Sequence, residues 1–346
     1  AVEPVRINFG SVMAERMSVR QLFMVVAQML KYGDRTTPVR FLVAETESAF
    51  TLLTALYFAR LYDCADKVDI SPLFETERAL EAGSRLVEQL LDNPHYCAYV
   101  RGRGRLCIQT GYSDAGRYLG QTPAAASIER LRLRLIRVMA DRGLDGVDLL
   151  MFDTHGDSIG RGAHPAGMSD RIANIDTPAT RGYFAARGVG YVQEISFQGG
   201  DGYLHFGSEA AAHATLTRIL EHALAGSRSS ADDPFYDEAA YVREFFTTVK
   251  EFQVRLMEDP DYGLLLQAQG PNLLFQTGSR ATRRQHEEPG EIDAAHATQL
   301  RAIPHNAILQ QMGILANSIG GVGQAIARDP ERFARLYARS PRRRQL

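Results

Sequence analysis

Two rhythms of apolar residues alternate along this chain. Short unbroken runs rich in Val, Ile, Leu and Phe read as buried β-strands; longer stretches with apolar residues at every third or fourth position read as helices. The runs are VRFLVAE (39–45), KVDISPLFE (67–75), RLCIQTGYSD (105–114), VDLLMFDTHG (147–156) and VGYVQEISFQGGDGYLHFG (189–207), the last with room for a hairpin. The third run is expected to pass into a turn. SAFTLLTALYFARLY (48–62) is apolar nearly all round, as a buried helix is. Thr76 is placed to cap a helix whose stripe is Leu80, Leu86, Val87, Leu90 and Leu91. Ser127 is placed to cap SIERLRLRLIRVMADRG, with Ile128, Leu131, Leu135 and Val138 inward, arginines outward and Gly143 as the stop. Further helices are expected from Ser208 through Leu224 to Gly226 and over 241–257, and a last short apolar run over 272–280. Residues 227–237 and 283–296 read as exposed loops, and the tail SPRRRQL is expected to fray.

Strands alternating with helices predict a parallel sheet with both faces covered. Regular structure is expected to be mostly helical. The 346 residues leave room for a closed α/β barrel, which needs about 250. With 45% hydrophobic and 23% charged residues, the composition is that of a folded globular chain. A net charge of −2 argues against a general nucleic-acid binder. No apolar run approaches the ~20 residues of a membrane helix, so no membrane role is expected. Cys64, Cys97 and Cys107 are odd in number and form no C-x-x-C, which reads as reduced thiols in a cytoplasmic protein. The basic residues are nearly all arginine; Lys31, Lys67 and Lys250 are the exceptions.

The residues with chemical potential gather where the predicted strands end. Glu75 closes the second run, and Asp114 lies just past RLCIQTG, the strand portion of the third. Neighbouring strand ends would let the two carboxylates share one hard cation, Mg²⁺ or Mn²⁺. Taken singly, each reads more simply as a capping or turn residue. Arg161 lies between Gly160 and Gly162, Arg280 follows Gly278 and Ser279, and Arg301 sits in QLRAIP. Three arginines converging on one pocket would suit a small phosphorylated carboxylate. His155 and His164 flank the glycine-rich loop and titrate near neutrality, although each reads first as a hydrogen-bonded loop residue. His305 reads as a packed residue. No nucleophile elbow and no phosphate-binding P-loop is present.

Taken together, six segments resemble phosphoenolpyruvate carboxylase. They are ISPLFET (70–76), GYSDAGRYLG (111–120), THGDSIGRGAHP (154–165), ISFQGGDGYLHFG (195–207), TGSRATRR (277–284) and LRAIPHNAILQQ (300–311), and they occur in the family's order. The resemblance implies a (β/α)8-type barrel with additional helices, a single catalytic region over 1–346 that is part of a larger chain. It implies a carboxy-lyase that joins bicarbonate to phosphoenolpyruvate, through carboxyphosphate and an enolate, giving oxaloacetate and phosphate. Glu75 and Asp114 would then be ligands of Mg²⁺ or Mn²⁺. Arg161 and His155 would be catalytic, and Arg280, Arg301 and Arg117 substrate-binding. A cytoplasmic homo-oligomer is expected. Three departures stand out. Asp157 occupies the place of a loop arginine, Arg117 that of a lysine, and tryptophan is absent. They leave a non-catalytic carboxylase-like binding or regulatory protein as the alternative, and a metal-dependent aldolase-like enzyme as a third reading.

Overall fold

The structure, a computed structural model, describes residues 2–44, 46–153, 168–195, 205–224, 233–269, 297, 305, 309 and 319–346. In chain order the elements of the first half are α1 (Phe9–Ala14), α2 (Ser18–Tyr32), β1 (Val39–Val43), α3 (Ala49–Leu61), β2 (Val68–Phe74), α4 (Glu77–Asp92), α5 (Pro94–Arg103), β3 (Arg105–Thr110), α6 (Tyr112–Leu119), α7 (Gln121–Asp141) and β4 (Asp148–Asp153). The second half adds α8 (Met168–Ile175), α9 (Pro178–Arg187), β5 (Tyr191–Ile195), α10 (Glu209–Leu224), α11 (Pro234–Asp237), α12 (Ala239–Glu258), α13 (Pro260–Gln269), α14 (Val322–Arg328), α15 (Pro330–Arg339) and α16 (Pro341–Gln345).

Among the described residues five strands form one parallel sheet in sequential order, β1 to β5, and most of the regular structure is helical. Each expected strand is present. One face of every strand packs on helices. Phe41 of β1 stacks on Phe23 of α2, ring centroids 4.3 Å apart, and Phe184 of α9 stacks on Tyr191 of β5 at 4.0 Å. Phe74 of β2 lies over Gly83 of α4, where a β-carbon would come within 3.1 Å of its ring. The alternation of strand side chains sends the neighbouring residues to the opposite face, and there the chemistry changes. Arg40, Asp69, Arg105, Cys107, Gln109 and Glu194 share it. Asp69 has no exposed side-chain surface and is held by Arg40, by Arg103 Nε at 2.7 Å and by Arg105 Nε at 3.8 Å.

This polar face is concave. Arg40 on β1 donates to Glu194 on β5, with Nη2 2.8 Å from Oε1. On a flat sheet β1 and β5 stand four strand spacings apart, about 19 Å, beyond the reach of these two side chains. The edge strands therefore curl toward each other. Among the described residues the sheet is open, and β5 pairs with β4 only.

The β2–β3 ladder has an unusual member. Pro72 has no amide to donate, and regular β2–β3 pairing covers Leu73↔Gln109 and Phe74↔Thr110. Earlier in β2, the buried Tyr99 hydroxyl of α5 stands in for a strand partner. It accepts from the Ile70 amide at 2.8 Å and donates to the Val68 carbonyl at 2.7 Å.

Several local expectations are corrected. The turn after β3 is a helix, α6, with Asp114 in its first turn. Ser127 lies inside α7, which starts at Gln121; Pro123 fits the first turn and the alanines that follow favour helix. Arg132 faces inward, because Asp153 at the end of β4 needs a partner: Arg132 Nη2 lies 2.9 Å from Asp153 Oδ2, and both are buried. Residues 233–237, expected in an exposed loop, form a helical turn capped by Asp233, with Phe235 buried. The rest of that loop and residues 283–296 lie outside the described residues.

The tail does not fray. Arg342 is buried and donates to Glu129 Oε2 at 3.0 Å and to Asn174 Oδ1 at 3.0 Å, while its amide donates to Asp233 Oδ2 at 2.7 Å. Arg343 lies over the rings of Phe245 and Phe333. Glu129 also accepts from Tyr236 at 2.6 Å and Thr177 at 2.7 Å. Burial by itself pushes this carboxyl up, but Arg342, Tyr236, Thr177 and Arg132 outweigh it and hold the group below its ordinary value of 4.5. The stabilisation this brings is complete above that value and is lost as pH falls below it. Removing Arg342 leaves a buried, unpaired carboxylate. Arg342→Ala is expected to cost about 3 kcal/mol at pH 7, and the deficit to shrink toward pH 4, as chemical denaturation at the two pH values will measure.

Candidate functional site

The C-terminal ends of β1, β2 and β3 open into one cleft of about 830 Å³. Its position follows from the β2–β3 pairing. The Gly111 amide donates to the Phe74 carbonyl at 3.1 Å and carries the ladder one residue past the strands. Glu75, the residue after β2, therefore sits directly against Gly111. A β-carbon on Gly111 would lie 2.6 Å from the Glu75 β-carbon, so only glycine fits there. One residue later α6 begins. Asp114 lies in its first turn, where the helix dipole favours negative charge. Glu75 and Asp114, far apart in sequence, thus line the same cleft.

Arg117, one turn along α6, is buried. Its Nη2 donates to Asp114 Oδ1 at 3.0 Å and to the Tyr118 hydroxyl at 3.2 Å, and the guanidinium lies over the Tyr118 ring. It orients one carboxylate oxygen of Asp114. Further round, Arg78 lies 4.0 Å from Glu47, and Lys250 of α12 donates to Glu77 at 2.7 Å. Among the described residues of the cleft, four carboxylates (Glu47, Glu75, Glu77, Asp114) face three bases (Arg78, Arg117, Lys250). The balance favours a cation.

The donor set suits a hard one. Among the described residues no group of three or more His, Cys, Asp or Glu side chains is placed to hold a metal by itself. Two carboxylates at an open cleft are what Mg²⁺ takes when waters and substrate oxygens complete its octahedron. Thr76 meanwhile caps α4, accepting from the Ala79 amide at 3.2 Å.

Of the seven residues singled out from the sequence, Glu75, Asp114 and Arg117 come together here. His155, Arg161, Arg280 and Arg301 lie outside the described residues. His305 is fully buried, its Nε2 2.9 Å from the Tyr262 hydroxyl. The three cysteines are free thiols. Burial pushes the Cys64 and Cys107 thiols up to about 12, which keeps both protonated. The sequence reading missed Lys250. In VKEF a lysine reads as solvated helix surface, and the only signal was the rarity of lysine in this chain. Among the described residues no helix is long and apolar enough to cross a membrane.

A parallel sheet with helical crossovers and a carboxylate-lined cleft at the strand C-termini defines an α/β protein with an enzyme-like site. Comparison with known proteins makes the class specific. Residues 6–171 match the family model for phosphoenolpyruvate carboxylase. The phosphoenolpyruvate carboxylase of Xanthomonas oryzae is 34% identical over 128 residues, 35% of this chain and 14% of that protein. That of Xanthomonas campestris pv. campestris strain 8004 is 28% identical over 297 residues, 83% of this chain and 31% of that protein. That of Thermus thermophilus is 35% identical over 101 residues, 29% of this chain and 11% of that protein. Over these stretches the chain is similar to phosphoenolpyruvate carboxylases, and its match to these relatives spans no more than about a third of their length.

Gly111→Ala is expected to force Glu75 away from α6 and to lower stability by about 1–3 kcal/mol. A crystal structure of the variant with its urea unfolding curve checks both; an unmoved Glu75 would contradict the packing argument.

Proposed function

We propose that this protein is a carboxy-lyase of the phosphoenolpyruvate carboxylase type, converting phosphoenolpyruvate and bicarbonate to oxaloacetate and phosphate. The observation that carries the reading is the convergence of Glu75, Asp114 and Arg117 on one cleft at the C-terminal ends of parallel strands. That is the catalytic face of a (β/α)8 barrel, and we read the curled sheet β1–β5 as part of one. The work would be done by a cytoplasmic homo-oligomer.

Glu75 and Asp114 are the residues that would hold Mg²⁺ or Mn²⁺. When bound there, the ion supplies Lewis-acid stabilisation for developing negative charge on the enolate oxygen. The side chains do the rest. Arg117, clamped by Asp114 and Tyr118, offers a guanidinium already fixed for a substrate oxyanion, so little rotamer freedom is lost on binding. Arg280 and Arg301 add cations for the phosphate and carboxylate. Arg161 neutralises charge on the phosphoryl group as it passes to bicarbonate, and His155 holds or moves a proton at the bicarbonate oxygen. The enolate carbon then takes the carboxyl group as phosphate leaves. Asp157, in the place of a family arginine, would lower the affinity of the same loop for phosphate.

The test is a coupled assay for oxaloacetate together with phosphate release, with and without bicarbonate and Mg²⁺. Glu75→Gln is expected to lower kcat/KM at least about a hundredfold, near 2.7 kcal/mol of transition-state stabilisation. Absence of bicarbonate-dependent oxaloacetate from the wild-type protein would rule the activity out.

A further inference from the structure

We infer that Lys250 is a substrate-binding residue of the cleft and grips the phosphoryl group of its anionic substrate. The inference rests on the carboxylase reading of that cleft. Among the described residues, all other side chains of the cleft except Val254 come from positions 46–119, inside the family-matched segment. Lys250 enters from α12, more than a hundred residues away in sequence. Its approach is built into the packing. Gly120, between α6 and α7, has φ +90°, and a β-carbon there would lie 2.7 Å from Val249 Cγ1. The glycine lets α12 close onto α6, and the residue after Val249 then reaches the rim of the cleft.

The other two bases of the cleft are differently placed. Arg117 is buried and clamped by Asp114 and Tyr118, and Arg78 stands on the surface beside Glu47 with 82% of its side chain exposed. Lys250 is half-buried, 39% exposed, and joined to Glu77, two residues beyond Glu75, at 2.7 Å. It also borders a second hollow of about 630 Å³ on its other side, so its stem has room to swing. In a chain that uses arginine almost everywhere, a lysine here has a chemical rationale. Arginine fixes a planar oxyanion with two bonds, whereas lysine is a mobile point charge with rotatable donors. A phosphoryl group that moves during the reaction can be followed by the second kind. Without substrate, Lys250 rests on Glu77; the phosphoryl oxygens draw it into the cleft.

The experiment is calorimetric and needs no turnover. Wild-type protein, Lys250→Met, Lys250→Arg, Glu77→Gln and the double variant are titrated with Mn²⁺ alone, then with phosphoenolpyruvate at saturating Mn²⁺. For Lys250→Met, Mn²⁺ affinity is expected to stay within about twofold while the phosphoenolpyruvate Kd rises about tenfold, one charge-assisted hydrogen bond. Lys250→Arg is expected to recover part of that loss. Glu77→Gln is expected to tighten phosphoenolpyruvate about two- to threefold, a gain that vanishes when Lys250 is also Met. An unchanged phosphoenolpyruvate Kd in Lys250→Met overturns the inference and leaves the carboxylase reading standing. A Lys250→Met protein that melts earlier and loses Mn²⁺ affinity to the same degree makes the residue a structural strut, and also overturns it. Wild-type protein that binds Mn²⁺ but no phosphoenolpyruvate overturns both.

Discussion

The short stretch of parallel pairing between the ends of β2 and β3 is the constraint on which the site depends. Two residue pairs and the Gly111–Phe74 hydrogen bond bring Glu75 beside the first turn of α6. Pro72 and the Tyr99 hydroxyl keep the lower part of β2 from following the same pattern. The close register is thus concentrated where the carboxylates emerge. A strand end is a sound place for such a pair, because the backbone behind it is rigid and only the side chains face solvent.

The two faces of the sheet carry different kinds of cohesion. Among the described residues the helix-facing side is held by aromatic and aliphatic burial, and Arg132 pairs with Asp153 near the top of β4. The concave side is charged, and Asp69 gathers three arginines from β1, α5 and β3. Burying such charges is costly unless each is paired with good geometry. The pairs therefore contribute specificity of curvature more than raw stability: Arg40 meets Glu194 only if the sheet bends. The chain's last helix extends the logic. Arg342 reaches Glu129 of α7 and ties the C-terminal tail to the helix that also secures β4.

The arrangement of the cleft separates two tasks. Residues of the family-matched segment supply the carboxylates and one immobilised guanidinium. A helix from the later part of the chain closes the rim with Lys250. Charge close to balance, with a small negative excess, would suit the proposed function, in which the cleft receives a divalent cation and a multiply charged anion in turn. A strongly positive cleft would admit the anion and repel the metal.

How much of this was legible beforehand depended on the range of the interaction. The strands were readable because a fully buried strand must be apolar over its whole length. The Thr76 cap was readable because capping is local. The strand-end carboxylates could be paired on paper, since parallel neighbours end on the same side. The errors fall where a distant partner overrides local chemistry. Arg132 reads as outer surface until Asp153 claims it. SPRRRQL reads as a loose end until Glu129 and two phenylalanines bury it. Lys250 reads as solvated helix until the glycine at 120 admits α12 to the cleft. The sequence by itself determined the alternation of strand and helix, the parallel order and the carboxylates at the strand ends, because these follow from periodicity and nearest neighbours. Tertiary structure alone decided which charges are buried, how far the sheet curls and which later helix completes the cleft. Those depend on partners that meet only after the chain has folded.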